Sequence, residues 1–253
     1  MKILFLSVVA FSIAATSALG AGKDDRVYEL RVYYAPEGKL DALHRRFRDH
    51  TMKLFEKHGM TNIGYWTPIE HPDRKLIYML AYPSREAAQK SWTAFLADPD
   101  WQKAHRESER DGRLVSKIES TFLTATDYSP EIKPATSGDR VFELRTYTTT
   151  SGNLQRLHKR FRDHTTKLFE KHGMTNVAYW SPVKSDKRAD NTLVYILAHK
   201  SVDAAKGSFD AFRKDADWIK AKGESEKEAG GSLTMSDGVK SEFLRATDYS
   251  PIR

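Results

Sequence analysis

The sequence predicts an α+β protein built from two tandem ferredoxin-like units, each with the element order β-α-β-β-α-β. The first observation is an internal repeat: residues 48–62 return as residues 162–176, with Thr166 in place of Met52 as the only change. The second observation is that strand-like and helix-like hydrophobic spacings follow one another in the same order within each copy. The chain of 253 residues has room for two domains of about 100–150 residues each.

The first copy begins with a strand at residues 27–34, where aromatic and β-branched residues alternate along the chain. A Pro-Glu-Gly break ends this strand. A helix follows, because apolar residues recur every three or four positions from Leu40 to Leu54. Gly59 is placed to end the helix in a left-handed conformation.

Two further strands, at residues 63–67 and 76–82, are each stopped by a proline. Ser84 is a suitable N-cap for a second helical region that begins at Glu86. An Asp-Pro-Asp sequence interrupts this region before it continues, and a fourth strand at residues 118–124 completes the unit.

The second copy repeats these elements in the same order, after a segment whose Pro, Ser and Gly content is typical of a linker. We therefore predict a first domain at residues 24–130, a linker at residues 131–138 and a second domain at residues 139–253.

The N-terminus, residues 1–21, has the pattern of a secretory signal peptide. Lys2 precedes an apolar run that is too short to span a bilayer, and small residues follow up to Ala21. An uncleaved membrane anchor is the alternative interpretation. The chain contains no Cys, which excludes a lipid-anchored bacterial lipoprotein. We expect a periplasmic or secreted protein with no stable membrane insertion after cleavage.

The charge pattern does not indicate a nucleic-acid partner. The net charge is +7, but Lys and Arg alternate with Asp and Glu along most segments instead of forming a basic run. The histidines of the long helix are not three or four residues apart, so no metal-binding pair is predicted on one face. Exposed sheet edges would allow a homo-oligomer.

Three motifs that occur in both copies carry a resemblance to a known family. They are Val27-Tyr28-Glu29-Leu30-Arg31-Val32-Tyr33, Leu54-Phe55-Glu56-Lys57-His58-Gly59 and Tyr65-Trp66-Thr67-Pro68, together with their counterparts from Val141, Leu168 and Tyr179. This combination resembles the NIPSNAP family. The resemblance implies a dimeric α/β barrel, which the two halves would close within one chain. The wider superfamily includes cofactor-independent monooxygenases and haem enzymes, but the resemblance carries over no set of catalytic residues.

One polar stripe in each copy is a candidate for function. Glu29, Arg31 and Tyr33 share one strand face because side chains two positions apart point the same way. The second copy repeats them as Glu143, Arg145 and Tyr147. Two interpretations remain open: an ion pair across strands that holds the barrel together, or an Arg that binds an acidic or carbonyl-bearing ligand with the Tyr as donor.

His50 and its copy His164 lie beside the apolar stripe of the long helix, which makes them candidates for a general base or a haem-pocket residue. His58 precedes Gly59 and is expected to cap the helix or to pack in the core. Trp66 and Trp180 are expected in the core or in a pocket wall, where they would suit an apolar or aromatic ligand.

Two classes of function follow from these candidates. The first is a binding or interaction protein with a small apolar or aromatic ligand. The second is a small-molecule enzyme, either a cofactor-independent monooxygenase or a haem-dependent protein. The sequence favours the first class, because neither copy contains a recognisable catalytic set. A cavity beside His50 or His164 would favour the second.

Overall fold

The computed structural model describes residues 24–70, 74–135 and 138–253. The predicted signal peptide lies outside these residues. The first half contains strands β1 (Val27–Tyr34), β2 (Thr61–Pro68), β3 (Lys75–Tyr82) and β4 (Lys117–Ala125). The second half contains β5 (Val141–Thr149), β6 (Thr175–Pro182), β7 (Thr192–His199) and β8 (Thr234–Ala246).

Four helices follow the same pattern in each half. In the first half they are α1 (Leu40–Arg46), α2 (Met52–Lys57), α3 (Arg85–Ala97) and α4 (Pro99–Ser108). In the second half they are α5 (Leu154–Arg160), α6 (Thr166–Lys171), α7 (Val202–Lys214) and α8 (Ala216–Ala229). Ser84 and Ser201 cap α3 and α7 by accepting a hydrogen bond from a backbone N–H three residues on.

The eight strands form one closed antiparallel barrel in the order β1-β3-β2-β8-β5-β7-β6-β4. Each half supplies four neighbouring strands. The halves join edge to edge, where β2 pairs with the end of β8 and the end of β4 pairs with β6. The predicted fold class is confirmed: the chain forms a dimeric α/β barrel within itself, and closure pairs strand edges that two separate sheets would leave open.

The interior of the barrel is filled by large aromatic side chains from both halves. Tyr28 meets Trp180 at 5.6 Å between ring centres, and Trp66 meets Phe142 at 5.8 Å. All four side chains are almost completely buried. Because each contact joins one half to the other, the two repeats share a single hydrophobic core.

Two further apolar layers lie outside the barrel, between each half-sheet and its helices. Phe47, Phe55 and Tyr78 belong to the layer of the first half, and Phe161, Phe169 and Tyr195 belong to that of the second. Strands β3 and β7 are therefore covered on both faces, which explains why their sequences are nearly continuous apolar runs.

The first long helix differs from its prediction as one regular α-helix. A π-helical turn at Phe47–Thr51 separates α1 from α2, and the same turn recurs at Phe161–Thr165. The N–H of Met52 donates to the carbonyl of Phe47, and Thr51 Oγ1 donates to the carbonyl of Arg46 at 3.1 Å. The wider turn changes which side chains of this helix face the sheet.

The residues that follow the last strand of each copy contact the opposite half of the molecule. Asp248 accepts two hydrogen bonds from Arg48, at 2.8 and 2.6 Å, and the hydroxyl of Tyr249 lies 2.7 Å from Nδ1 of His44. Residues 126–129 make the equivalent contacts with the second half. Each half is thus held by the last residues of the other copy.

A search of the described ranges for a membrane span found no helix with the length and apolar character to cross a bilayer.

Candidate functional site

The polar stripe of the first half faces the helices, on the outside of the barrel. Glu29 is 1% exposed and accepts hydrogen bonds from Tyr82 at 2.7 Å and from Trp92 Nε1 at 2.8 Å. Arg31 Nη1 and Ser120 Oγ donate to its other carboxylate oxygen. The carboxylate is therefore well satisfied, which a buried charge requires.

The second half holds the equivalent carboxylate with a different set of donors. Glu143 accepts from Arg145, from Ser241 and from His199 Nε2 at 3.1 Å, while Phe209 occupies the position of Trp92. Burial acts to raise the pKa of Glu143, but these hydrogen bonds outweigh it, so that the pKa lies below its ordinary value. Both halves thus keep a buried carboxylate bound to the neighbouring Arg.

The predicted ion pair forms along one strand instead of across two. Arg31 and Glu29 are two positions apart on β1, as Arg145 and Glu143 are on β5. Arg31 also reaches the hydroxyl of Tyr33 at 3.4 Å, and its guanidinium lies 4.3 Å from the ring centre of Trp92. The ligand-binding interpretation remains open as well, because Nε of Arg31 is buried and has no hydrogen-bond acceptor among the described residues.

A cleft of about 710 Å³ opens beside this stripe in the first half, and we call it the first-half cleft. Its floor is the outer face of the sheet, and α3, α4 and the π-helical turn form its walls. Six aromatic side chains line it: Tyr33, Phe47, Phe55, Trp92, Phe95 and Trp101. Leu96 and Ile118 lie at its mouth and are 56% and 50% exposed.

Arg46, the last residue of α1, is buried and lines this cleft. Its side chain is 3% exposed, and its Nη1 donates to Glu109 at 3.1 Å and to Ser108 at 3.4 Å. The guanidinium lies 5.3 Å from the ring centre of Trp101. Burial acts to raise the pKa of Glu109, but hydrogen bonds from the Leu114 N–H and Arg46 lower it below its ordinary value. Glu109 is therefore ionised and paired with Arg46.

The predicted site residues do not form one pocket. Arg31 and Tyr33 line the first-half cleft, whereas Trp66 and Trp180 lie inside the barrel on the other side of the sheet. Trp66 and Trp180 are core residues, and the indole N–H of each is buried with no acceptor among the described residues. A strand directs successive side chains to opposite faces, which separates the two groups.

The structure places His50 and His164 differently from the prediction. Both are exposed on the π-helical turns, and neither lines the first-half cleft. Since the π-helical turn contains more residues than an α-helical one, it brings Thr51 to the sheet and turns His50 outward. A haem iron needs an axial side chain inside a pocket, so these two histidines do not fit that role.

His58 is the C-cap residue of α2, as predicted, and its side chain binds a residue of another helix. Its Nε2 lies 2.6 Å from Asp98, the N-cap residue of α4, and Lys57 Nζ lies 2.8 Å from the same carboxylate. Hydrogen bonds from Lys57 and His58 hold the pKa of Asp98 well below its usual range. His172 and Asp215 repeat this contact in the second half.

We expect the protein to lose stability as the pH falls below about 4, because the same carboxylates in the unfolded chain then bind protons that the folded protein does not bind until a lower pH. A lowered pKa in the folded state contributes stability above the unfolded pKa, and this contribution disappears as pH falls through the folded pKa. Asp98→Asn should therefore lower the melting temperature at neutral pH, with a deficit that shrinks on acidification. Asp100→Asn, at a carboxylate 73% exposed, is the control. An equal deficit at all pH values would contradict this expectation.

Sequence reasoning missed Arg46, Trp92 and Trp101 as site residues. Arg46 follows Leu43 by three positions and precedes Phe47, so helical spacing could have placed it on the buried stripe. Trp92 and Trp101 come from two other helices, and their meeting point depends on tertiary packing. Among the described residues, no three His, Asp or Glu side chains converge where a metal could bind.

Comparison with solved structures identifies proteins of similar fold. A proposed monooxygenase from Lactobacillus acidophilus superimposes with a TM-score of 0.55 at 11% identity, covering 90% of this chain and 98% of its own. A proposed monooxygenase from Fusobacterium nucleatum gives 0.51 at 12% identity, covering 87% and 92%. At such low identity, the likeness shows the barrel fold alone.

The remaining comparisons concern one further solved structure, the curated proteins and the sequence families. A NIPSNAP-like domain protein from Burkholderia xenovorans is 19% identical and covers 44% of this chain and 93% of its own, with a TM-score of 0.39. A search of curated proteins found no significant match. The NIPSNAP family model matches twice, at residues 28–130 and at residues 142–251. The chain therefore belongs to the NIPSNAP family, and it contains two tandem copies of the family's domain.

Proposed function

We propose that this protein is exported and binds an apolar or aromatic small molecule in the first-half cleft. The observation that supports this proposal most directly is the cleft itself, with six aromatic side chains around about 710 Å³. Small-molecule sites in proteins have volumes of about 300–1,000 Å³ and are mostly apolar, with a few polar groups that orient the ligand. Arg31 and Arg46 are the polar groups here.

The aromatic walls favour a ligand with a flat or extended apolar body. Phe95 and Trp101 lie 4.4 Å apart between ring centres, and Trp92 packs against Phe55 at 5.4 Å. Rings in this arrangement present both faces and edges to a ligand. Each contact between aromatic rings adds about 0.5–1.5 kcal/mol to the free energy gained by burying apolar surface. Leu96 and Ile118 extend the apolar surface to the mouth.

The alternative function is a small-molecule enzyme, of the monooxygenase or haem-dependent type. A cavity beside His50 or His164 would have favoured it, and both side chains are exposed on the surface. The fold is also that of the two proposed monooxygenases, at 11% and 12% identity. Neither histidine lines the first-half cleft, and the likeness to the monooxygenases is one of fold alone. For these two reasons we place ligand binding ahead of catalysis for this chain.

A neutral aromatic probe, 2-naphthol, tests ligand binding through the quenching of tryptophan fluorescence and through native mass spectrometry. We expect one bound probe, and we expect Leu96→Arg to weaken its binding about tenfold, the cost of bringing a charge next to an apolar ligand. The helix should tolerate this change because Arg213 holds the same place in α7.

The matched control for this test is Ile219→Arg, at a side chain that is 58% exposed on α8 of the second half. It introduces the same charge away from the cleft and should leave binding unchanged. A wild-type protein that binds no aromatic probe, or equal losses of 2-naphthol binding in both variants, would overturn the proposed function.

Export is supported by the sequence of residues 1–21. Expression of the whole chain in a bacterial host, followed by cell fractionation and N-terminal sequencing, tests it. We expect a periplasmic or secreted product that begins after Gly20 or Ala21. Recovery of the intact N-terminus from the cytoplasm would contradict the expectation of export.

A further inference from the structure

The charges around the first-half cleft are strongly unbalanced. Five cationic side chains line it, but only one carboxylate does so: the cations are Arg31, Arg46, Arg106, Arg113 and Lys117, and the carboxylate is Glu109. Glu29, Glu109 and Glu119 pair with Arg31, Arg46 and Lys117 respectively. The excess positive charge therefore comes from the remaining two arginines.

Arg106 and Arg113 lie exposed at the rim of the cleft. Within the described ranges, neither of them forms an ion pair or a side-chain hydrogen bond. In the second copy Arg106 aligns with Gly223, and Arg113, which precedes the buried Leu114, aligns with Ser232, which precedes the buried Leu233. The two copies are otherwise closely alike, so this pair of charges is a specific feature of the first half.

The base of the cleft offers a hydrogen-bonding edge of the kind that holds carboxylates. Arg46 uses only Nη1 for Ser108 and Glu109, and its buried Nε has no acceptor among the described residues. The Nε–Nη2 edge of Arg48 binds Asp248 side-on with two hydrogen bonds in this same protein. The same edge of Arg46 is thus left for a group with two oxygens.

We propose that the ligand of the first-half cleft is an organic carboxylate with an aromatic or extended apolar body. The carboxylate binds the Nε–Nη2 edge of Arg46, and the body packs against Trp92, Phe95 and Trp101. Arg106 and Arg113 attract the anion to the mouth, since charges beside a low-dielectric cleft concentrate ligands of opposite sign. This inference rests on the proposed function and adds the chemical class of the ligand.

The experiment compares two probes of one shape, 2-naphthoate and the neutral 2-naphthol, at low ionic strength. We expect the wild-type protein to bind 2-naphthoate at least about tenfold more tightly than 2-naphthol, because only the carboxylate forms charge-assisted hydrogen bonds with Arg46. Arg106→Gln with Arg113→Gln should reduce this preference by weakening the binding of 2-naphthoate, while the share of the preference that comes from Arg46 remains. About 0.5 M salt should reduce the preference in the wild-type protein, since the rim charges are exposed.

A control variant with the same change in net charge is Lys220→Gln with Lys227→Gln, at exposed positions of α8. It should retain the preference for 2-naphthoate. If the wild-type protein binds both probes equally, or if both double variants lose the preference to the same extent, the carboxylate inference fails and the proposed function stands. If neither probe binds, the proposed function fails, and the inference fails with it.

Discussion

Replacement of Glu29 by alanine is expected to destabilise the protein by about 3–5 kcal/mol, because it leaves Arg31 charged and mostly buried without its partner. The side chain of Arg31 is only 13% exposed, and that of Glu29 is 1% exposed. Tyr82 and Trp92 would also lose the acceptor of their buried hydrogen bonds. Unfolding in urea, followed by circular dichroism, measures the loss.

The double variant Glu29→Met with Arg31→Met tests the origin of this loss. Apolar side chains of similar volume can replace a buried ion pair at little cost, so the double variant should regain the part of the stability that is lost through the unpaired Arg31. The donors of Tyr82 and Trp92 still lack an acceptor in it, so a smaller loss should remain. If Glu29→Ala instead costs less than about 1 kcal/mol, the pair behaves as an exposed one and has no structural role.

Replacement of Trp180 by alanine is expected to cost about 3–5 kcal/mol, because it opens a cavity at the centre of the barrel. Trp180 is 1% exposed and packs against Tyr28 of the opposite half. The halves share this core, so we expect them to unfold together in one transition, at a lower urea concentration than in the wild-type protein.

Fluorescence and far-ultraviolet circular dichroism should report the same midpoint for Trp180→Ala if unfolding remains cooperative. Ile219→Ala, at a side chain 58% exposed, is the control and should change stability by less than about 0.5 kcal/mol. Two separate transitions in the Trp180→Ala variant would contradict a core shared by the two halves.

Much of the fold could be predicted from local patterns. The repeat of residues 48–62 established two equivalent units, and the alternation in residues 27–34 gave both the first strand and the shared face of Glu29 and Arg31. Such periodicities depend on neighbours along the chain, which is why they survive without knowledge of the tertiary structure. The family resemblance implied a closed barrel. The two pairings between the halves, β2 with β8 and β4 with β6, confirm it.

The site was predicted less completely, for reasons that differ between residues. His50 was misplaced because the π-helical turn changes the phase of a helix whose sequence reads as regular. Trp66 was predicted in the core or in a pocket wall, and it lies in the core, on the face of the sheet opposite the cleft. Trp92 and Trp101 could not be related to Arg46, since their meeting depends on three helices packing on one sheet.

The sequence by itself determined the two-copy organisation, the order of strands and helices, and which side chains share a strand face. Only the tertiary structure decided which face lines the interior of the barrel and which lies under the helices. Most of β1, β2 and β3 is covered by apolar layers on both faces, so the alternation of residues in these strands does not distinguish a buried from an exposed side. That choice of face placed Trp66 in the core and Arg31 in the cleft.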